Sequence, residues 1–342
     1  MQIRLSGGPT AQLPTEPSYP RVVADIGGTN ARFGWLDAPG THAQHVRKLA
    51  VPDYAGPADA MRAYLAELAA LLGTAYRPPR HAAIAVATAV VGDQISFTNS
   101  HWSFSRQALQ AELSLAGLQV LNDFEALALA LPHLGPDQLR AHGALPQARG
   151  TLAVIGPGTG LGVAGVAPTP QGWVALPGEG GHSTLAPGDD FESELLRCVR
   201  QDFVHVSAER LLSGIGLPVL HRAVATVLGQ PVAEPWAAEA IMDGGLTGAD
   251  EACSRSLDAF CSLLGSFAGN VALMLGARGG VYIGGGIVPR MEERFFQSAF
   301  RERFEAKGRL RSYLEAIPTA LITDTLVALT GAAAAIEQQV GA

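Results

Sequence analysis

The sequence predicts an α/β protein made of two related domains with a cleft between them. Three observations carry that expectation. Strand-length apolar runs alternate with amphipathic helical stretches along the chain, the pattern of an α/β fold. A unit of strand, glycine-threonine turn and strand occurs at 21–36 and recurs from Thr151, as "TLAVIGPGTGLGVAGV". The 342 residues also exceed the ~250 beyond which single cores rarely grow.

Taken in order, residues 21–36, containing "VVADIGGTNARFGWL", place apolar residues on both sides of Gly27 and Gly28 and predict two antiparallel strands. Residues 57–73 repeat apolar side chains every three or four positions and stop at a glycine, which predicts a helix. "HAAIAVAT" (81–88) is a candidate buried strand. Ser105 stands as an N-cap before a short helix, "SRQALQAEL". "LQVLND" (118–123) is a further strand that ends in two polar residues where the helix "FEALALALP" begins. His133, Gly135, Pro136, Gly143 and Pro146 mark 133–150 as an irregular connection near a domain boundary.

Farther on, Leu257, Phe260, Leu264, Phe267, Val271 and Leu275 trace one face of a long amphipathic helix over 248–276. Gly265 and Gly269, four residues apart, are expected to admit a close neighbour there. "GGVYIGGGIVPR" (279–290) reads as a short strand, three glycines and a helix start; "TALIT" and the alanine-rich 326–338 read as strand and helix. The domains are expected as 21–133 plus 324–342 (small) and 134–323 (large), after a flexible extension over 1–20.

With 48% hydrophobic and 16% charged residues the chain is globular in composition. A net charge of −7 argues against a nucleic-acid surface. The absence of an unbroken apolar run of membrane length argues against a transmembrane helix. Residues 1–20 lack the apolar core of a secretory signal. The three cysteines, Cys198, Cys253 and Cys261, form no C-x-x-C, so a disulfide scaffold and a cysteine zinc site are not expected and a cytoplasmic location is. Lys48 and Lys307 are the only lysines, and neither follows a glycine loop, which excludes a P-loop.

The chemistry concentrates in four stretches. "DIGGTN" and "GPGTGLG" each offer backbone N–H groups and a threonine hydroxyl for phosphate oxygens, with glycines expected in the left-handed region. Either turn alone is more simply a plain hairpin; two of them suggest a cleft that grips a polyphosphate from both sides. Gly160, Gly162 and Gly165 also match G-x-G-x-x-G, but that fingerprint must open a helix, and this one runs into Pro168 and Pro170. A carboxylate beside phosphate is repelled unless a cation intervenes, so Asp25 is a candidate Mg²⁺ ligand; it can equally cap the Gly27–Thr29 turn.

In "LNDFEA", Asp123 is placed to accept a proton from a substrate hydroxyl and Asn122 to orient the ligand, at the carboxyl end of a strand where α/β sheets bind ligands. Either residue can instead be a helix cap. "LPGEGGHSTLAP" holds Glu179 and His182 in a glycine-rich loop. Glu209, in "VSAERLLSG", reads on its own as part of the first turn of a helix capped by Ser207.

Together, "ADIGGTNARF", "FTNSHWSFS", "LNDFEALALALP", "GTGLGVA", "LPGEGGHSTLAP", "HVSAERLLSGIGL" and "GGVYIGGGIVPR" resemble the bacterial glucokinases of the hexokinase-like superfamily, in that family's order from about residue 21 to 330. The resemblance implies the actin-like ATPase fold, two ribonuclease-H-like domains flanking the cleft, and transfer of phosphate from ATP to the 6-hydroxyl of glucose. It implies Asp123 as the base, and Asn99, Asn122, Asp123, Glu179, His182 and Glu209 as sugar ligands. Ala24, Asp25, Ile26, Gly27, Gly28 and Thr29, with Gly158, Thr159 and Gly160, are implied as the phosphate turns. Gly284 and Gly285 are implied as part of the adenosine pocket, ATP and Mg²⁺ as the cofactors, and Asp25 as the metal residue. By fold-level analogy, exposed apolar surface expected on helix 248–276 suits a homodimer.

The chain departs from the family in two places: "VATAVVGD" lacks a usual proline, and "DTLVALTGAAAAI" lacks an Asn-Pro-Gly run that some relatives carry. Relatives with a zinc loop are excluded, since no cysteine cluster follows His182. The implied chemistry suits the residues. A neutral polyol asks for carboxylates and amides, and phosphoryl transfer asks for alignment, charge neutralisation and one proton acceptor. The rivals are a kinase for mannose, fructose or an N-acetyl sugar, a non-catalytic sugar-binding regulator, and an actin- or chaperone-like ATPase.

Overall fold

A glycine turn folds β1 (Arg21–Ile26) back on β2 (Asn30–Leu36), and the Gly27 N–H closes it by donating to the Asn30 carbonyl at 2.9 Å. The computed structural model describes residues 19–40, 42–97, 100–230 and 234–341, and the statements below concern these. β3 (Gln44–Ala50) pairs with the outer edge of β2. The chain crosses through α1 (Pro57–Leu72), which stops on Gly73 at φ +54°, to β4 (His81–Val86), parallel to β1. A short ribbon of β5 (Gln94–Ser96) and β6 (Ser103–Ser105) leads into α2 (Arg106–Glu112). Ser105 caps α2 as its sequence suggests, its Oγ accepting from the Ala108 N–H at 3.0 Å. β7 (Gly117–Asn122) completes the order β3-β2-β1-β4-β7, and α3 (Asp123–Ala130) starts at its carboxyl end.

The second half repeats that design. After β8 (Leu139–His142), β9 (Leu152–Pro157), β10 (Leu161–Thr169) and β11 (Gly172–Gly178) form an antiparallel meander. Then follow α4 (Asp190–Val199), α5 (Leu217–Val227), α6 (Ala238–Thr247) and α7 (Glu251–Leu275). β12 (Gly280–Ile283), α8 (Glu293–Gln297), α9 (Phe300–Glu305), α10 (Arg311–Glu315) and β13 (Thr319–Ile322) close the half. Its sheet runs β11-β10-β9-β12-β13-β8. In each sheet one strand, β1 or β9, continues on one side into an antiparallel meander of two strands and on the other into two parallel strands; β8 adds an antiparallel edge to the second sheet. The expected pair of ribonuclease-H-like sheets is present. β8 corrects the reading of 133–150 as irregular: "LRAH" pairs antiparallel with β13, His142 opposite Thr319. Four residues are too few for alternation to show.

α7 is the core helix of the second half. Asp250 caps it by accepting from the Cys253 N–H at 2.7 Å, and Gly276 ends it in the left-handed region at φ +59°. A side chain at Gly265 would collide with the Phe300 carbonyl, and one at Gly269 would lie 2.5 Å from the Phe304 carbonyl, so these glycines let α9 lie directly on α7. Cys253 and Cys261 are buried there. By length and composition α7 could cross a bilayer, but 67% of its most apolar stretch is buried within the fold. Of its large apolar side chains Met274, 70% exposed, is the one that faces solvent.

Between the sheets lies a layer of two helices. α11 (Val327–Gly341) returns to pack on β1, β4 and α3. Ala126, Leu129 and Ala130 of α3 share a core with Val327, Ala334 and Ala335 of α11 and with Leu152, Val154 and Ala164 of the second sheet. Side chains this small let the two axes come close; a Cβ on Gly331 would overlap the Ala126 carbonyl. The first turn of α3 is thereby fixed to both sheets.

Candidate active site

In the first sheet Ile26, Val86 and Asn122 stand side by side across β1, β4 and β7. Asp25 and the 27–29 turn thus end up beside Asn122 and Asp123, at the carboxyl ends of three neighbouring parallel strands. The Asp25 carboxylate does not close its own turn, which is held by backbone. It accepts from Arg32 Nη1 at 3.0 Å, the residue directly opposite on β2. Burial raises the Asp25 pKa, and Arg32 pulls against that rise. Ala24 and Ile26 are buried in the core with their backbones in the ladder, so they support the turn from behind.

Asn122 does what the cautious sequence reading allows: it is the N-cap of α3. Its Oδ1 accepts from the Phe124 N–H at 2.9 Å, and its Nδ2 donates to the Thr88 carbonyl at 3.1 Å. Both ends of the carboxamide are engaged within the protein, leaving one N–H and one lone pair for a ligand. Asp123 Oδ1 shares the same Phe124 N–H at 3.0 Å. Burial, with the negative charge of Asp25 added to it, pushes the Asp123 pKa up to about 6. That value lies where a base can work near neutral pH.

In the second sheet the 158–160 turn joins β9 to β10, and the Gly158 N–H donates to the Gly160 carbonyl at 2.9 Å. Beside it, the Gly284 N–H donates to the Ile155 carbonyl at 2.8 Å. Gly285 sits at φ +75°, pressed so closely on the Pro157 carbonyl that a Cβ would collide with it. Gly27, Gly28, Gly158 and Gly160 are not in the left-handed region, contrary to expectation. A steric reason holds for Gly160, where a Cβ would strike Glu209 Oε2; at Gly27 a Cβ would make an ordinary contact and at Gly158 it would meet open space.

The "GEGGH" loop is better ordered than its composition suggests. Gly181 lies against the Leu161 carbonyl with no room for a side chain. Glu209 N donates to Gly181 O at 2.9 Å, Ala208 N to Ser183 O at 2.9 Å and Leu185 N to Val206 O at 3.0 Å. The 207–216 stretch is a run of turns rather than a helix, with Ser207 Oγ accepting from the Arg210 N–H at 3.2 Å. Glu209 Oε2 accepts from the Leu161 N–H at 2.8 Å, and His182 Nε2 lies 3.8 Å from Glu209 Oε1. His182 is 60% exposed against 23% for Glu209, so the imidazole reaches outward and the carboxylate is anchored. Glu179 is exposed at the end of β11. Asn99 lies outside the described residues.

Comparison with known proteins gives the family. A family model described as Glucokinase matches residues 22–339. The chain belongs to the glucokinase family. It is 49% identical to the glucokinase of Chromobacterium violaceum over 318 residues, covering 93% of this chain and 89% of that one. It is 46% identical to that of Cupriavidus metallidurans, covering 95% of each. Among solved structures, a glucokinase from an Antarctic psychrotroph superposes with a TM-score of 0.86 at 37% identity, covering 93% of this chain and 98% of that one. Glucose phosphorylation is the activity that membership of the glucokinase family assigns to this chain.

Two features of this geometry have no counterpart in the sequence reading. Arg32 balances Asp25; its signal was its place in β2, opposite Asp25 once the hairpin register is known. The Thr88 carbonyl, which holds Asn122, leaves no mark in the sequence, because a backbone acceptor belongs to every residue type.

Proposed function

We propose that the chain transfers the γ-phosphoryl group of ATP to the 6-hydroxyl of glucose, with Asp123 as the proton acceptor. The observation that carries this reading is the Asp123 carboxylate at the start of α3, held by the Phe124 N–H and raised by burial and Asp25. In the reaction the O6–phosphorus bond forms, the bond from phosphorus to the β-phosphate oxygen breaks, and the hydroxyl proton passes to Asp123. A carboxylate is far too weak to remove that proton beforehand, so it takes it late, as the new bond forms.

His182, Glu179 and the anchored Glu209 are assigned to sugar hydroxyls on one side and the remaining capacity of Asn122 on the other; Asn99 is assigned to the sugar by its motif alone. Glu209 also bonds the backbone just past the second glycine turn, so sugar and phosphate contacts share one rigid piece. The 27–29 and 158–160 turns are assigned to the phosphates, and Gly284 and Gly285 to the adenosine.

Mg²⁺ fits the residues present. No cluster of three or more His, Cys, Asp or Glu side chains occurs among the described residues. Mg²⁺ asks for less, one or two carboxylates with water and phosphate making up the rest. Asp25, already repelling Asp123, is the residue to hold it, and the ion would neutralise phosphate charge. The test is a coupled assay for glucose 6-phosphate, run with and without ATP. Asp123→Ala should lose roughly 10²–10⁴-fold in kcat with glucose affinity changed only modestly; full activity in that variant removes Asp123 from the mechanism.

A further inference from the structure

Two glycines in the second hairpin are left unexplained by phosphate binding. Gly156 and Gly162 lie inside β9 and β10, directly opposite each other in the antiparallel ladder. Neither adopts the left-handed conformation. Glycine within a strand weakens it, and in that position it marks a close approach by another group. The group here is the Phe124 ring. A Cβ on Gly156 would lie 2.5 Å from Phe124 Cζ, and one on Gly162 would overlap the ring edge at Cε2 and Cδ2. One aromatic ring thus occupies the room of two absent side chains on the second sheet.

The backbone of the same residue holds the base: the Phe124 N–H is shared by Asn122 Oδ1 and Asp123 Oδ1. The hairpin under the ring carries the 158–160 turn, which begins two residues after Gly156 and ends two before Gly162. We propose that Phe124 is a positioning residue. Seated on the Gly156–Gly162 pair, it fixes the distance between the Asp123 carboxylate and the glycine turn that presents the phosphate. The inference rests on the reading of Asp123 as the base. Phe124 touches no reacting atom; it acts through Asp123.

The test is a two-site cycle with kcat, KM for glucose and thermal unfolding measured for each variant. Gly162→Ala should push the ring off its seat and lower kcat by roughly 10- to 100-fold, because misplacement by about 1 Å at a reacting centre can cost as much. KM for glucose should stay within about three-fold, since the atoms nearest the added Cβ all belong to the Phe124 ring and not to Glu209 or His182. Phe124→Ala in the Gly162→Ala background returns the lost space and should recover part of kcat; a fall in kcat at unchanged KM in a variant that still unfolds cooperatively separates a misplaced base from a general loss of fold. Phe124→Leu leaves both glycines free and keeps most of the apolar volume; should Gly162→Ala not fold, a fall in kcat in this variant with unchanged KM carries the same information. Unchanged kcat in folded Gly162→Ala, or a double variant no better than Gly162→Ala alone, overturns the proposal. Failure of the underlying reading looks different: wild type would make no glucose 6-phosphate, or Asp123→Ala would remain active.

Discussion

Asp123 should destabilise the fold it serves, and the size of that cost can be worked from its surroundings. Burial and the Asp25 carboxylate raise its pKa from 3.8 to about 6. At about 1.4 kcal/mol per unit this is about 3 kcal/mol of penalty for holding the charge in the folded state at neutral pH. The sign follows from linkage. The folded state binds the proton more tightly than the unfolded one, so the favourable contribution is complete below about pH 4 and is lost as pH rises through about 6. Asp123→Asn keeps the shape, and its Oδ1 can still accept from the Phe124 N–H, but it has no charge to bury. The apo variant should therefore be more stable than wild type by up to about 3 kcal/mol near pH 7.5, with about half of the gain gone by pH 5. Urea unfolding of both proteins at those two pH values, without sugar or nucleotide, reads this directly, because packing differences cancel between the pH values. A gain that is equal at both pH values, or larger in acid, refutes the reasoning.

The same carboxylate sets the acid side of the rate profile: kcat/KM should fall about tenfold per unit below about pH 6. Asp25→Asn should move that limb to lower pH by removing a raising charge, whatever it does to the maximum; a limb left in place would show that the two carboxylates are not coupled. Gly160→Ala puts a Cβ against Glu209 Oε2, and should raise KM for glucose by about tenfold or more, equivalent to loss of about one charge-assisted hydrogen bond. Isothermal titration with glucose checks it, and wild-type affinity would show that Glu209 has room to move.

Much of the fold could be read in advance because its signals are local. The glycine turns, the Ser105 cap, the face of α7 and the Gly265–Gly269 contact each depend on a few neighbouring residues. β8 and the turns around Glu209 were misread for the opposite reason. β8 is a strand only because β13 offers it an edge, and the 207–216 stretch is held by bonds to the "GEGGH" loop rather than by its own helical repeat. In the site, residue types showed where the chemistry lies but not how each is held. The glycines of both turns were expected to be there for their backbone angles, yet Gly160 gives way to Glu209. Gly156 and Gly162 make room for a ring from the other half of the molecule, a contact that no spacing in "GPGTGLG" could reveal.

The most direct measurement is a crystal structure of the protein with glucose bound. The account predicts the sugar in the cleft between the two halves, at the carboxyl ends of β1, β4 and β7, with an Asp123 carboxylate oxygen about 2.6–3.2 Å from the 6-hydroxyl oxygen. A sugar lodged elsewhere, or an Asp123 side chain turned away from that hydroxyl, would contradict it.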